Sequence, residues 1–175
     1  MTEIAPSPAD DDRFGSPLLP RYRAAVLPEW ADRNEHLNNS YYLVAVQSAY
    51  VSALRLWRGE ADRERSSTGN FTMQSLVTHV RELKLGANLL IVPRLLAVDE
   101  KRTHVLIELY NADKGFLGAV IEKTSINVIR GRPPKVANFS DEMRDRLQAV
   151  ARSHAEAPMP SGIRPVLALN PRAQG

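Results

Sequence analysis

Residues 38–59 read NNSYYLVAVQSAYVSALRLWRG, and this stretch decides the fold. No Gly or Pro interrupts residues 41–58, and apolar side chains recur there at spacings of three and four residues, the period of a helix. Asparagine and serine before this segment are N-cap residues, and Gly59 after it is a natural stop. Apolar residues lie on almost every side of the predicted helix, so we expect the domain to enclose most of it. One apolar stripe consists of Leu43, Val46, Tyr50, Ala53, Leu54 and Trp57.

Segments with strand composition flank this helix in the sequence. A short one, Tyr22–Leu27, precedes it, and longer ones follow after residue 70. Only short polar connections join the longer segments. We therefore expect neighbouring strands to be antiparallel, because parallel neighbours need a crossover of about a dozen or more residues. The longer strands are predicted at Phe71–Leu83, Leu89–Val98, Thr103–Asn111 and Phe116–Ile129.

A second helix is predicted near the end of the chain, from Asp141 to Ser153, with Ser140 as its N-cap. The order of elements is then strand, helix, antiparallel strands and helix. This order predicts an α+β fold, in which one curved antiparallel sheet of about five strands wraps the long central helix. An open sheet edge in such a domain favours pairing with a second copy of the chain.

The composition is that of one globular domain. The chain has 175 residues, of which 43% are hydrophobic and 25% charged, and its net charge of +3 is too small to indicate nucleic-acid binding. We expect residues 20–155 to form the domain. Residues 1–19 are rich in proline, aspartate and serine, and residues 156–175 hold four of the twelve prolines, so we expect both to be flexible tails.

Several classes of function are excluded by what the sequence lacks. Without cysteine there is no disulfide, no thiolate metal site and no cysteine nucleophile, which is typical of a cytoplasmic protein. No apolar run is long enough to cross a membrane. The glycines form no G-x-G, P-loop or G-x-S-x-G pattern, so nothing indicates a dinucleotide-binding enzyme, a P-loop NTPase or an elbow-type serine hydrolase.

Residues 29–42, EWADRNEHLNNSYY, bring Asp32, a histidine and three asparagines together directly before the central helix. The start of a helix presents free backbone N–H groups and the positive end of the helix dipole. Such a place stabilises the oxyanion that forms when a carbonyl is attacked, and a neighbouring carboxylate can act as nucleophile or as general base. The alternative is that Asp32 only forms a turn by accepting hydrogen bonds from nearby backbone.

The pattern D-x-N-x-H-x-N-N at residues 32–39, followed by Y-Y and an apolar helix, resembles the active-site signature of the hot-dog fold thioesterases, the superfamily of hydroxybenzoyl-CoA thioesterase. Within it the resemblance is closest to the carnitine-associated betainyl-CoA thioesterases, which read like E-W-x-D-x-N-G-H-x-N-x-x-Y-Y and later like R-E-x-K-L-G. The later motif is R-E-L-K-L-G here, at residues 81–86. The resemblance covers residues 22–150 and implies the hot-dog fold.

This resemblance implies hydrolysis of an acyl-CoA thioester to a free acid and CoA, with betainyl-CoA as one candidate substrate. Asp32 would be the catalytic carboxylate, as nucleophile or as general base. Asn34 and His36 match positions that orient the carboxylate or the water in related enzymes. The amides that would polarise the thioester carbonyl are those around Asn39, Ser40 and Tyr41.

One residue departs from the family pattern. Glu35 stands where these thioesterases usually have glycine, or glutamine in the plant acyl-carrier-protein thioesterases. This difference leaves open the conformation of the loop and whether Glu35 supplies a second carboxylate.

Two further residues are candidates for contact with the acyl group. If residues 30–32 are extended, Trp30 lies on the same side as Asp32 and faces a quaternary ammonium group through a cation–π contact; the alternative is a core tryptophan. Gln47 points either into the acyl pocket or to solvent.

Basic residues are the candidates for the CoA phosphates, although charged residues on strands and turns are often only solvated. They are Arg81, Lys84, Lys101 and Arg102. His79 and His104 lack the spacing of metal ligands, so we expect no metal and no cofactor beyond the CoA of the substrate.

The alternative function is a hot-dog protein that binds acyl-CoA without cleaving it. A hydratase or dehydratase is disfavoured, because no histidine is paired with an acidic residue in the arrangement that those enzymes resemble. We expect no nucleic-acid or membrane partner. We expect a homodimer or a dimer-of-dimers tetramer, in which strand 71–83 of a neighbouring subunit completes the site.

Overall fold

The structure, a computed structural model, describes residues 18–59 and 67–169, so most of the predicted amino-terminal tail lies outside the described residues. The described residues contain two α-helices, α1 (Tyr42–Arg58) and α2 (Asp141–Ala155). A 3-10 helix at Asn39–Tyr41 directly precedes α1. Neither α-helix has the length and apolar composition that a membrane-spanning helix requires. The strands are β1 (Tyr22–Ala25), β2 (Thr68–His79), β3 (Asn88–Val98), β4 (Arg102–Asn111), β5 (Phe116–Ile129) and β6 (Lys135–Val136).

One antiparallel sheet carries the domain, in the order β1–β3–β4–β5–β2, with the short β6 beside β5. Helix α1 packs on its inner face, where Ala45, Ala49 and Ala53 are fully buried. These three small residues are four apart and share one face of the helix, which lets the helix approach the sheet closely. A long helix enclosed by one antiparallel sheet confirms the predicted α+β hot-dog architecture.

Helix α1 is less enclosed than its composition predicted. Leu43, Val44 and Leu56 expose 37%, 51% and 59% of their surface. The sheet covers the inner side of the helix in a single chain, so apolar residues on other sides stay at the surface. The prediction for Leu43, a member of the expected buried stripe, is therefore wrong for the isolated chain.

Strand β2 ends earlier than predicted. The sequence predicts a strand over residues 71–83, whereas β2 spans Thr68–His79. The chain leaves the ladder after His79 because the N–H groups of Val80 and Arg81 both donate to the Gly118 carbonyl, at 2.9 Å each. Leu83 then enters the core, where it is fully buried. The sequence prediction includes Leu83 in the strand because it is apolar, but it is apolar because it packs in the core after the strand has ended.

Helix α2 covers an open part of the sheet edge. Its N-cap is Ser140, as predicted. Strand β1 pairs with β3 only over residues 88–91, and α2 lies beside the remainder. There the Leu95 N–H donates to His154 Nδ1 at 3.0 Å, while Pro93 has no N–H to leave unpaired. Burial, with a further contribution from the charge of Arg94, lowers the pKa of His154 to about 4, so the ring is a neutral acceptor at neutral pH.

Residues 156–169, which the sequence analysis assigns to a flexible tail, contact the outer face of the sheet. Two buried charges on that face bind the segment. Arg94 donates to the Ala157 carbonyl at 2.7 Å, and the Glu122 carboxylate accepts a hydrogen bond from the Leu167 N–H at 2.9 Å. The expectation of a free tail is therefore wrong for this part of the chain, because its backbone groups satisfy buried charges. Residues 170–175 lie outside the described residues.

The contact between Gly118 and Leu83 leads to a stability prediction. A Cβ at Gly118 would lie 2.7 Å from carbons of the Leu83 side chain, which is fully buried and has no room to move aside. We expect Gly118→Ala to lower the free energy of unfolding by about 1–3 kcal/mol, the usual effect of overpacking, in urea denaturation. Gly131→Ala is the control, since this glycine is exposed and its nearest new neighbour is 3.4 Å away. Equal losses in both variants would contradict the close contact.

Candidate active site

Asp32 lies at the base of a tight turn. Its Oδ1 accepts hydrogen bonds from the N–H groups of Asn34 at 2.8 Å and His36 at 3.1 Å. These hydrogen bonds, that of His36 first, hold the pKa of Asp32 below its ordinary value, so the carboxylate is ionised at neutral pH. Asp32 thus forms the turn that the alternative interpretation predicts. Within the described residues Oδ2 has no hydrogen-bond donor, which leaves that oxygen for chemistry.

The turn is held by a later segment of the chain. The Leu37 N–H donates to the Leu83 carbonyl at 2.7 Å, and the Leu85 N–H donates to the Glu35 carbonyl at 2.8 Å. The two segments form one antiparallel bridge between these hydrogen bonds. Leu37 and Leu83 are both buried. The two motifs singled out in the sequence therefore meet as one short ladder, which fixes Asp32 relative to the sheet.

A cavity of about 430 Å³ opens beside this turn. The turn provides one wall, the start of the helical segment provides another, and the chain after β2 closes the third side. The polar and aromatic lining residues are Asp32, His36, Asn39, Tyr42, His79, Arg81 and Glu82. The cavity thus brings the Asp32 carboxylate together with the first residue of the helical segment.

The helix start offers fewer free N–H groups than the resemblance implies. Asn38 uses two of them, because its Oδ1 accepts from the Ser40 N–H and its carbonyl accepts from the Tyr41 N–H, both at 2.9 Å. Ser40 and Tyr41 do not line the described cavity. Asn39 does line it, and in the described part of the chain its N–H has no acceptor. Of Asn39, Ser40 and Tyr41, Asn39 is thus the residue that lines the cavity with an N–H free of an acceptor among the described residues.

Trp30 lies away from the cavity. Residues 28–30 form a 3-10 helix, so the extended conformation assumed for residues 30–32 is not present at Trp30. Its ring stacks with that of Tyr41, with centroids 6.5 Å apart, and packs against the core. Trp30 therefore lies where the alternative interpretation, a core tryptophan, expects it.

Asn34 and Gln47 also lie outside the cavity lining. Asn34 is exposed and contributes its backbone N–H to Asp32. Gln47 accepts a hydrogen bond from Lys123 Nζ at 3.1 Å, and this amine lies 4.2 Å from the centre of the Tyr50 ring. Burial lowers the pKa of Lys123. The Gln47 side chain therefore accepts a hydrogen bond from the buried Lys123 amine beneath α1.

Three of the polar and aromatic lining residues, Tyr42, His79 and Glu82, were not singled out as site residues from the sequence. Glu82 Oε2 lies 3.5 Å from His36 Nε2. His79 Nε2 lies 3.1 Å from Asn39 Oδ1, and its ring packs edge-on against Tyr42 with centroids 4.5 Å apart. Glu82 belongs to the R-E-L-K-L-G motif, which could have indicated it. His79 carries no such signal, because only the course of β2 brings it to Asn39.

A second cavity of about 430 Å³ adjoins the first, since Arg81 and Glu82 line both. Its cationic residues are Arg81, Lys84 and Lys114. Arg81 also lies over the Phe116 ring, 4.1 Å from the centroid. Two of the predicted phosphate-binding residues therefore line this cavity together.

The other predicted phosphate-binding residues, Lys101 and Arg102, lie elsewhere. Arg102 begins β4 and forms an ion pair with Asp99, whereas Asn111, at the opposite end of β4, lines the second cavity. A strand of this length spans about 30 Å. Among residues 18–59 and 67–169, no group of three His, Asp or Glu side chains is placed to hold a metal ion.

Comparisons with known proteins point to one family and one fold. The sequence pattern of the thioesterase-like superfamily matches residues 26–147. The betainyl-CoA thioesterase of Pseudomonas aeruginosa is 33% identical over 158 residues, which cover 89% of this chain and 98% of that protein. A Staphylococcus aureus protein solved in complex with CoA has a TM-score of 0.69 at 20% identity, covering 86% of this chain and 96% of that one. A thioesterase superfamily protein from Jannaschia sp. CCS1 has a TM-score of 0.73 at 15% identity, covering 85% and 94%.

The backbone of Glu35 yields a second stability prediction. Among the described residues, Glu35 alone combines a side chain with a positive φ, 58°. This conformation costs a residue with a side chain about 1–2 kcal/mol, a cost that glycine escapes. We expect Glu35→Gly to raise the free energy of unfolding by up to about 1 kcal/mol after the greater freedom of glycine in the unfolded chain is subtracted. Urea denaturation measures the change.

Arg33→Gly is the matched control, since Arg33 is an exposed neighbour outside the positive-φ region. It should lose about 0.5–1 kcal/mol. Glu35 lines neither cavity, so Glu35→Gly should also keep the catalytic activity. Destabilisation by Glu35→Gly would contradict the strain, and loss of activity in a stable variant would indicate a second catalytic carboxylate.

Proposed function

This chain belongs to the thioesterase-like superfamily, and from that premise we propose that the Asp32 cavity hydrolyses an acyl-CoA thioester to a free acid and CoA. One observation carries the proposal: the Asp32 carboxylate and Asn39, whose N–H has no acceptor in the described part of the chain, line the same cavity. Thioester hydrolysis needs a carboxylate, an oxyanion donor and a cleft that holds the carbonyl between them. In this proposal Asp32 is the carboxylate, the Asn39 N–H is the oxyanion donor, and the cavity that both residues line is the cleft.

In the proposed reaction the thioester carbonyl oxygen lies near the Asn39 N–H. Asp32 acts either as a general base that takes a proton from water, or as a nucleophile whose acyl anhydride water then hydrolyses. As a general base, Asp32 takes a proton from water while the water oxygen bonds to the thioester carbon and the C–S bond breaks. As a nucleophile, Asp32 forms the C–O bond itself as the C–S bond breaks, and water then cleaves the acyl anhydride and restores the carboxylate. On both routes the CoA thiolate takes up a proton as it leaves. One preorganised oxyanion donor contributes about 3–4 kcal/mol to such a reaction.

The hydrogen bonds around Asp32 suit either role. The N–H groups of Asn34 and His36 both bind Oδ1, which keeps the carboxylate charged and its plane fixed. Oδ2 is then the oxygen that meets water or the thioester carbon. His36 contributes its backbone N–H and also faces Glu82, so it supports the turn and the opposite wall together.

The second cavity is the proposed site for the phosphates of CoA. The cations of Arg81, Lys84 and Lys114 line it, and it adjoins the Asp32 cavity through Arg81. CoA carries several negative charges at one end and its thioester at the other. A ligand with its phosphates in the second cavity would extend towards Asp32 without crossing the domain.

Betainyl-CoA is the first candidate substrate, because the relative from Pseudomonas aeruginosa is a betainyl-CoA thioesterase. The lining of the first cavity supports a cationic acyl group. Asp32 and Glu82 provide two negative charges against the one positive charge of Arg81, and Tyr42 provides an aromatic ring. A quaternary ammonium group favours such surroundings through charge attraction and cation–π contact.

We also propose that two copies of the chain assemble. Strand β2 is a long sheet edge that pairs with β5 alone among the described strands. Phe71 at that edge and Leu43 and Val44 on α1 are exposed apolar residues. An exposed edge beside apolar surface favours continued sheet pairing between subunits, as a homodimer or a dimer-of-dimers tetramer.

The function is tested by replacing the carboxylate. Asn at position 32 keeps an oxygen that accepts the two turn hydrogen bonds, so Asp32→Asn should retain the fold. We expect it to lower thiol release by about 100- to 10,000-fold, the range for loss of general acid–base catalysis. The assay follows free CoA with a thiol reagent across betainyl-CoA, aromatic, short-chain and long-chain acyl-CoA esters.

Asp145→Asn, an exposed change on α2, is the control and should release thiol as the native protein does. Full turnover by Asp32→Asn would contradict the proposed role of Asp32. Tight binding of an acyl-CoA ester without thiol release by the native protein would instead favour the non-catalytic binding function.

The CoA site is tested at Lys84, which is exposed and lines the second cavity. We expect Lys84→Ala to raise KM for an acyl-CoA ester by about tenfold, as for loss of one charge-assisted hydrogen bond, and to leave kcat unchanged. Lys101→Ala is the matched control at the other end of the sheet and should change neither constant. Equal KM values in the two variants would place the phosphates elsewhere.

A further inference from the structure

We propose that His79 is a positioning residue that holds the side-chain amide of Asn39 as a second oxyanion donor. The inference rests on the proposed thioester hydrolysis and assigns a role to a histidine that the mechanism above does not use. Both residues line the Asp32 cavity. His79 would act through Asn39, whose amide touches the substrate.

The hydrogen bond between the two side chains determines which way the amide faces. His79 Nε2 lies 3.1 Å from Asn39 Oδ1. An amide oxygen carries no hydrogen, so the imidazole must donate, and the proton is on Nε2. With Oδ1 bound on this side, the NH₂ group of the planar amide points away from His79. Asn39 then presents two donors at the cavity, its side-chain NH₂ and its backbone N–H.

His79 is exposed in this chain and makes several contacts at the end of β2. Its backbone pairs with Ala119 in the last register position of β2. The next residue, Val80, is bound to the Gly118 carbonyl at 2.9 Å, so the strand end has little freedom. The imidazole edge also rests on the Tyr42 ring. A donor held by packing and hydrogen bonding is preorganised, which is the condition under which an oxyanion contact accelerates a reaction.

A general-base role for His79 is a different hypothesis with a different signature. In that role Nε2 would have to be free of its proton to accept one from water, whereas the contact with Asn39 Oδ1 requires the proton to be present. Neutral imidazole with its proton on Nε2 and imidazolium both donate to Asn39. The positioning role therefore predicts that His79 contributes no limb to the pH profile.

The experiment compares His79→Ala, His79→Gln, Asn39→Ala and the double alanine variant, using the acyl-CoA ester that the native protein hydrolyses best. We expect each alanine change to lower kcat by about 100- to 1,000-fold, the range for loss of an oxyanion donor, with KM little changed. The double variant should lose no more than Asn39→Ala, because His79 acts only through that residue. His79→Gln keeps an N–H donor and should recover part of kcat.

Asp145→Asn is the control, since Asp145 is exposed on α2 and lines neither cavity. Thermal unfolding of every variant separates loss of kcat from loss of fold. Additive losses in the double variant, native kcat in His79→Ala, or loss of the acidic limb of the pH profile in His79→Ala would each overturn the inference.

Asp32→Asn distinguishes this inference from the function on which it rests. If Asp32→Asn loses thiol release while the variants at positions 39 and 79 keep it, the inference fails and the proposed function stands. If Asp32→Asn retains full release, the proposed function fails and the inference fails with it.

Discussion

The pairing of residues 35–37 with residues 83–85 is the contact on which the site depends. Its hydrogen bonds join the loop before α1 to the loop after β2, so they connect the helix and the far edge of the sheet. Leu37 and Leu83 carry the same contact into the core, where Gly118 leaves room for Leu83. Core packing and placement of the carboxylate are therefore a single constraint, and a change in one moves the other.

Local polar groups at the site have structural roles beside the chemical roles that we propose for them. Asp32 uses one carboxylate oxygen to close its turn and keeps the other for the cavity. Asn38 takes up the N–H groups of Ser40 and Tyr41, and Asn39, whose N–H has no acceptor among the described residues, lines the same cavity as Asp32. The cap thus selects one N–H from the several that a helix start offers. This selection is a physical reason for the position of the proposed oxyanion contact.

The outer face of the sheet shows how buried charges bind a proline-containing segment that has no regular secondary structure. Arg94 and Glu122 are both almost completely buried, and an unpaired charge in such a place is costly. Arg94 pairs with Glu108, Glu122 pairs with His104, and backbone groups of residues 157–167 supply further hydrogen bonds. Composition predicted a free tail, because the proline content of the segment gives no information about buried partners elsewhere in the chain.

The sequence by itself determined the elements whose cause is local. The uninterrupted helix at residues 41–58, the cap at Ser140, the antiparallel strands with short connections and the family signature at residues 32–39 all follow from neighbouring residues. Tertiary structure alone decided the end of β2 at His79, the stacking of Trp30 on Tyr41 away from the cavity, and the meeting of His79 with Asn39. These features depend on hydrogen bonds and packing between residues distant in the chain, and no local pattern encodes which distant partner a side chain will meet.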